Sequence, residues 1–240
     1  MLPVVILAGG LATRLYPVTR KIPKALIPVA GRPFIDHQLA LLQEKGVTEV
    51  VLCVGNLGRM IETHVGDGAR YGLGVRYSYD GDRLLGTGGA IKHAAGLLPD
   101  AFLILYGDSY LDIDLEPVEH RFFSSGLMVL MTVFRNRDMF GASNIVAGNG
   151  KVVLYDKTVR DPRMEYIDYG LIALRKSVFD PYPPDEPFDL AVVLSRAAAA
   201  GSVAACEVGR RFYEIGSIRG IEETEDYIRN RKPRSGKDSV

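Results

Sequence analysis

The sequence predicts an α/β fold: a mixed, mostly parallel central sheet with helices on both faces. Three observations predict it. Short, continuous apolar runs rich in β-branched residues recur at residues 4–8, 50–54 and 102–106, each closed by a glycine (Gly9, Gly55, Gly107). Unbroken apolar runs, unlike alternating ones, suit strands covered on both faces. Helical apolar spacing separates these runs, so strand–helix–strand rounds repeat along the first half. The second half changes to strands joined by short links, which predicts antiparallel additions to the same sheet.

The elements follow in order. After the strand at 4–8, Phe34, Ile35, Leu39, Leu41 and Leu42 form a helix-like set that ends near Gly46. The strand at 50–54 leads to a short helix at 60–65 and a third strand at 75–79. A helix at 89–98 stops at Pro99, and the strand at 102–106 completes the parallel half. Ligands in such sheets bind outside the carboxyl ends of the strands. Gly9-Gly10 and Gly107-Asp108 are therefore expected to face one cleft. Further strands are expected at 128–134, 143–147, 152–155 and 166–174, with Asn149-Gly150 a strong hairpin signal. A helix is expected over 189–200 with Asp189 as its cap. Ile218, Ile221 and Ile228 fit one stripe of a last helix capped by Ser217. No repeat or linker divides the chain. The expectation is one domain over 1–230, with a first half (1–125), a second half (126–230) and a polar, mobile tail at 231–240.

Composition excludes several classes. The chain has 240 residues, 29 Lys plus Arg and 29 Asp plus Glu, hence no net charge. A general nucleic-acid binder would carry a basic excess. No apolar run approaches the roughly 18 residues of a membrane span, and no cationic, apolar leader opens the chain. Cys53 and Cys206 are expected to be buried free thiols of a reducing compartment, and a cytoplasmic location is expected. Neither Cys-x-x-Cys nor His-x-x-x-His spacing occurs, so no zinc site is expected. The scattered His37, His64, His93 and His120 read as surface or half-buried helix residues.

Chemistry concentrates in two loops. The stretch Leu7-Ala8-Gly9-Gly10-Leu11-Ala12-Thr13-Arg14-Leu15 follows a buried strand. Its glycines allow close backbone approach and offer N–H groups to an anion, and Arg14 adds a fork suited to phosphate. A plain tight turn is the alternative. The stretch is neither a Walker A loop nor Gly-x-Gly-x-x-Gly. Lys24 lies in Ile22-Pro23-Lys24-Ala25-Leu26-Ile27-Pro28, where two prolines are expected to hold the chain extended and the lysine on a rigid arm. Alone it would read as a solvated lysine; the order of Gly loop, Arg14 and Lys24 favours a functional cation.

The ordered set resembles the sugar-phosphate nucleotidyltransferases, or nucleotide-sugar pyrophosphorylases. The resemblance rests on Gly9-Gly10-Leu11-Ala12-Thr13-Arg14-Leu15, Pro23-Lys24, Leu85-Gly86-Thr87-Gly88-Gly89-Ala90 and Tyr106-Gly107-Asp108-Ser109. It continues more loosely through Asp156-Lys157, Ile167-Asp168-Tyr169-Gly170 and Phe212-Tyr213-Glu214-Ile215-Gly216-Ser217. Ala12 stands where the family usually has a second glycine, and Glu214 where it usually has an aspartate. The resemblance implies a Rossmann-like sheet of the nucleotide-diphospho-sugar transferase type. It also implies a reaction in which a sugar 1-phosphate attacks the α-phosphorus of a nucleoside triphosphate. Such a reaction needs positioning and charge neutralisation, not a Ser, Cys or His nucleophile.

By the same resemblance, residues 7–14 hold the nucleotide, with Arg14, Lys24 and Asp108 in catalytic roles. Gly86, Thr87 and Gly88 lie against the base, because main-chain groups of such a turn can approach a flat ring. Lys157, Asp168 and Gly170 take the sugar phosphate and sugar. Asp108 and Glu214 hold magnesium, which needs only one or two carboxylates beside phosphates and water. The turn Leu-Gly-Thr-Gly-Gly-Ala and the run Gly31-Arg32-Pro33-Phe34 look most like heptose-1-phosphate guanylyltransferases. That leans the substrates towards GTP and a heptose or mannose 1-phosphate. Uridylyl, thymidylyl or cytidylyl transfer remains open, including transfer to phosphocholine through a box of Tyr166, Asp168 and Tyr169. So does a catalytically silent nucleotide-sugar-binding subunit. A homodimer is also left open.

Overall fold

The apolar runs of the first half become interior strands because helices cover both of their faces. The computed structural model describes residues 1–231; the remainder of the expected tail lies outside the described residues. β1 (Val4–Leu7), β2 (Glu49–Val54), β3 (Gly74–Tyr79) and β4 (Ala101–Tyr106) run parallel in the spatial order β3-β2-β1-β4. Alternate residues serve opposite cores. Val4, Ile6, Leu52 and Leu105 pack in one, and Val5, Val51, Phe102 and Ile104 in the other. Helices α1 (Phe34–Glu44), α2 (Gly58–Val65) and α4 (Glu116–Ser125) supply Leu39, Ile61 and Phe122 to the first core. Helices α3 (Gly86–His93) and α5 (Leu190–Ala199) supply Ile91 and Leu194 to the second.

The second half extends the same sheet. It adds β6 (Val129–Arg135), β7 (Ile145–Gly148), β8 (Lys151–Tyr155), β9 (Tyr166–Arg175) and β10 (Val203–Glu207). The nine strands lie in the order β3-β2-β1-β4-β9-β6-β10-β8-β7. β9 is antiparallel to both β4 and β6, whereas β6 and β10 are parallel. The β7–β8 hairpin turns at Asn149 and Gly150, both at positive φ (52° and 72°), as the sequence predicted. A separate ladder pairs β5 (Ser109–Tyr110) with β11 (Tyr213–Glu214), and α6 (Ile218–Asn230) follows it. Both predicted caps form: the Asp189 carboxylate accepts from Ala191 N at 2.7 Å, and Ser217 Oγ from Gly220 N at 3.0 Å.

Several expectations need correction. β10 and α4 were not anticipated: Val203-Ala204-Ala205-Cys206-Glu207 is short and weakly patterned, and α4 begins with Glu116-Pro117 amid polar residues. α3 starts at Gly86, not Gly89, and passes into a 3₁₀ turn at Ala94–Leu97. Residues Lys24–Leu26 form a 3₁₀ turn rather than extended chain. His37 is buried, its Nε2 2.7 Å from the Val29 carbonyl. Ile221 and Ile228 pack inward with Tyr227, but Ile218 is 73% exposed. Helical side chains tilt towards the N-terminus, so a first-turn residue points past the helix end.

Helix α6 is pinned by a buried carboxylate close in sequence to Asp108. Asp112 is 4% exposed and accepts from Arg210 at 3.0 Å, Tyr227 at 2.8 Å and Arg231 at 2.9 Å, with Lys45 at 3.2 Å. Arg231, at the head of the expected tail, also pairs with Glu44. Burial alone would push the Asp112 carboxyl up. The bonds from Arg231 and Tyr227 outweigh it and hold the carboxyl well below the usual range. A depressed folded-state value stabilises above the unfolded value and is lost as pH falls through it. Asp112→Asn is therefore expected to cost about 3–5 kcal/mol at neutral pH, because Arg231 and Lys45 lose their buried counter-charge and keep only the more exposed Glu44 and Asp114. Urea unfolding is expected to show that loss at pH 7 and a smaller difference from the parent well below about pH 4.

Candidate active site

The carboxyl ends of β1 and β4 lie side by side where the strand order reverses, the place where such sheets bind ligands. Leu7 pairs with Tyr106, and Gly107 N donates to Leu7 O at 3.1 Å. A Cβ on Gly107 would lie 2.3 Å from that oxygen, so only glycine permits this approach. Beyond the strand ends a cavity of about 250 Å³ opens. Its walls include Leu7, Ala8, Gly9, Gly10, Ala12, Lys24, Gly86, Thr87 and Asp108.

The glycine loop is built to donate. Ala12 adopts φ 49°, ψ 47°, so the alanine itself takes up a left-handed turn where the resemblance has a glycine. Its carbonyl accepts from Thr19 Oγ1 at 2.9 Å and from Leu15 N at 3.0 Å, which fixes the turn. Among the described residues, the backbone N–H groups of residues 9–14 make no hydrogen bond. Consecutive free N–H groups make an anion-binding concavity. Arg14 and Leu11 are exposed at its rim.

Lys24 is set by the 3₁₀ turn between Pro23 and Pro28, closed by Ile27 N to Lys24 O at 3.0 Å. Its Nζ reaches Asp108 Oδ2 at 2.9 Å, with the side chains 18% and 34% exposed. Asp108 O accepts from Ile215 N at 2.9 Å, and Ser109 pairs with Glu214, so the backbones of Asp108 and Glu214 are neighbours. Glu214 Oε2 accepts from Gly216 N at 2.6 Å, and Glu214 borders a second cavity with Gly141, Arg211 and Ser217. Asp108 Oδ1 makes no hydrogen bond among the described residues, and Glu214 Oε1 is 3.5 Å from Ser217 Oγ. Asp108 thus leaves one oxygen open to a cation, whereas Glu214 Oε1 lies against Gly220 and would have to give up Ser217 to reach one. No group of three or more His, Cys, Asp or Glu is clustered for a metal among the described residues. Two carboxylates fit magnesium, which completes its shell with water and phosphate, better than a closed protein cage.

The remaining predicted residues lie beyond Tyr106. Asp168 Oδ2 accepts from Tyr106 at 3.0 Å and Tyr155 at 3.2 Å, and Oδ1 from Gly170 N at 3.0 Å. Burial pushes the Asp168 carboxyl up, against the pull of Lys157 and these bonds. Lys157 Nζ lies over the rings of Tyr106 and Tyr155, 5.3 and 5.9 Å from their centroids. Gly170 (φ 102°) occupies an irregularity of β9 and is buried against Ser109 and Tyr106. Tyr166 and Tyr169 pack in opposite cores, so the cation box considered for phosphocholine does not form. Gly88 does not line the cavity; its N–H donates to Phe188 O at 2.9 Å.

Sequence reasoning missed several cavity residues, among them two that can ionise, Asp80 and Cys53. Asp80 follows β3 and accepts from Leu85 N at 3.2 Å, with burial pushing its carboxyl up. The strand-end rule that selected Asp108 also applied to Asp80. Cys53 also borders the cavity, but burial, aided by Asp80, pushes its thiol up to about 12. It is protonated at neutral pH and is no nucleophile.

The fold and cleft define an α/β protein with a glycine loop of N–H groups, unpaired among the described residues, at a topological switch point. The chain belongs to the nucleotidyl transferase family, whose model matches residues 3–224. It is 27% identical over 212 residues to the D-glycero-alpha-D-manno-heptose 1-phosphate guanylyltransferase of Campylobacter jejuni, covering 88% of this chain and 93% of that protein. It is 28% identical over 201 residues to the UTP--glucose-1-phosphate uridylyltransferase of Synechocystis sp., covering 77% of this chain. The chain spans about half the length of that uridylyltransferase (52%). The crystal structure of HddC from Yersinia pseudotuberculosis complexed with GMP-PN matches with a TM-score of 0.81 at 25% identity, covering 95% of this chain and 100% of that one. No helix among the described residues is long and apolar enough to cross a membrane.

Proposed function

We propose that the chain transfers a nucleotidyl group from a nucleoside triphosphate to a sugar 1-phosphate, releasing pyrophosphate, and that GTP with a heptose or mannose 1-phosphate is the favoured pair. One observation carries the reaction class: the glycine loop with its free N–H groups borders the same cavity as Lys24 and Asp108. An oxygen of the sugar phosphate bonds to the α-phosphorus as the bond to the bridging oxygen breaks. Pyrophosphate leaves with that electron pair. The attacking oxygen is already anionic, so no side chain has to accept a proton. The loop N–H groups and Arg14 hold the triphosphate, and Lys24 stabilises the charge that grows at the reacting phosphates. Lys157 receives the sugar phosphate, and Asp168, held by Tyr106 and Tyr155, accepts from a sugar hydroxyl. Gly170 acts through Tyr106, which it allows to pack closely. Magnesium on Asp108 and Glu214 would supply further neutralisation of the triphosphate.

The leaning to guanine gains support from Asp80. A carboxylate offers only acceptors, which match the adjacent N1–H and N2–H donors of guanine. Uracil and thymine present one N–H between two carbonyl oxygens, which a carboxylate repels. The relatives named above include both a guanylyltransferase and a uridylyltransferase.

The test is pyrophosphate release from the common nucleoside triphosphates against a panel of sugar 1-phosphates and phosphocholine. Release is expected with GTP and a manno-configured sugar 1-phosphate, and only with a divalent cation. Release with UTP or dTTP alone would overturn the guanine assignment, and no release with any pair would overturn the reaction class. Asp80→Asn, which replaces one acceptor by a donor, is expected to erode the preference for GTP by about 1–3 kcal/mol in kcat/KM; an unchanged preference would remove Asp80 from base selection. Lys24→Ala is expected to lower kcat on the order of a hundredfold or more, about 2.7–4 kcal/mol, with little change in KM. Steady-state kinetics showing only a raised KM would make Lys24 a ground-state binding group.

A further inference from the structure

The turn that borders the nucleotide cavity with Leu84, Gly86 and Thr87 has a second face, and that face is covered by the second half of the chain. Phe188 N donates to Leu85 O at 3.0 Å, and Phe188 O accepts from Gly88 N at 2.9 Å and Gly89 N at 3.2 Å. These are N–H groups at the start of α3, which otherwise lack intrahelical partners. Thr87 Oγ1 donates to Asp189 Oδ1 at 3.1 Å and accepts from Leu190 N at 2.8 Å. Arg83 donates to Asp185 O at 2.7 Å, and His93 Nδ1 lies 2.6 Å from Asp185 Oδ1. The turn is therefore clasped along its length by residues 185–190.

The glycines of this turn serve the clasp. A Cβ on Gly86 would lie 2.7 Å from Phe188 O, on Gly88 2.4 Å from the Phe188 ring, and on Gly89 2.5 Å from Glu186 O. Besides any approach to a base, these glycines open the turn to another stretch of protein. Phe188 is itself held by stacking on Tyr182, at 4.9 Å between centroids and 19° between planes. Neither ring borders the cavity.

We propose that Phe188, in the second half of the chain, is a positioning residue for the nucleotide base: it fixes the Leu84–Thr87 wall and thereby sets nucleotide affinity, not sugar affinity. The inference rests on the cavity being the nucleotide site. A wall held by six hydrogen bonds and a ring wedged against Gly88 keeps the Gly86 and Thr87 main chain in place before the ligand arrives. Removing the wedge lets the wall move, and the bound base then has to order it.

The test compares the parent, Phe188→Ala, Gly88→Ala and the double variant. Equilibrium titrations use GTP, UTP and dTTP, and initial rates use the pair found in the release screen. Each single variant is expected to weaken nucleotide binding about tenfold or more, while the sugar 1-phosphate KM stays within about twofold. The Gly88→Ala methyl would press on the ring, so removing the ring is expected to restore binding in the double variant relative to Gly88→Ala alone. Amide hydrogen exchange at Gly88 and Gly89 is expected to quicken in Phe188→Ala without any nucleotide. Parent-like nucleotide affinity in both single variants would overturn the proposal, as would an equal rise in the sugar 1-phosphate KM. A parent that binds no nucleoside triphosphate would defeat the nucleotide reading itself and is seen separately from these differences.

Discussion

The close approach of β1 and β4 at their carboxyl ends is the constraint on which the site depends. Gly107 lies against the Leu7 carbonyl because it has no Cβ to intervene. That contact delivers the glycine loop after β1 and Asp108 after β4 to one cavity. It also sets β5, whose pairing with β11 brings Glu214 beside Asp108 from the far end of the chain. The Asp112 cluster then ties α6, immediately after Glu214, to Lys45 of the first half through Arg231, Tyr227 and Arg210. Charges over a hundred positions apart in sequence are thus fixed by backbone pairing and a buried ion cluster.

The electrostatics of the cleft are nearly balanced before any ligand arrives. Lys24 and Asp108 neutralise one another at 2.9 Å, in a partly exposed pair that solvent still screens. The loop contributes donors without formal charge, through N–H groups that have no other partner among the described residues. Under the proposed function the ligand is a polyanion. Binding it would give Lys24 a second acceptor and free Asp108 to face a cation. The cleft needs no nucleophilic side chain for this chemistry, and its thiol, Cys53, is held protonated by burial.

Much of the fold was legible in the sequence because it rests on continuous apolar runs, turn residues and caps. The strands ending at Gly9, Gly55 and Gly107, the Asn149-Gly150 hairpin, and the Asp189 and Ser217 caps are all local signals. β10 was not legible, because its strand character comes from lying between β6 and β8, a tertiary circumstance. That the glycine loop, Lys24 and Asp108 would meet was legible through order and residue type, and they border one cavity. Asp80 could have been found by the strand-end rule, since it follows β3 directly. The role of Gly88 and Gly89 could not, because a glycine that admits another chain segment looks the same in sequence as one that admits a ligand.

The central claim is that a phosphate oxygen of one substrate displaces pyrophosphate from another in this cleft. ³¹P NMR of the chain with GTP, mannose 1-phosphate and magnesium tests it most directly. The predicted result is a new pair of diphosphodiester resonances together with an equal amount of pyrophosphate. Cleavage of GTP to GDP and phosphate, or to GMP and pyrophosphate without the diester, would contradict it.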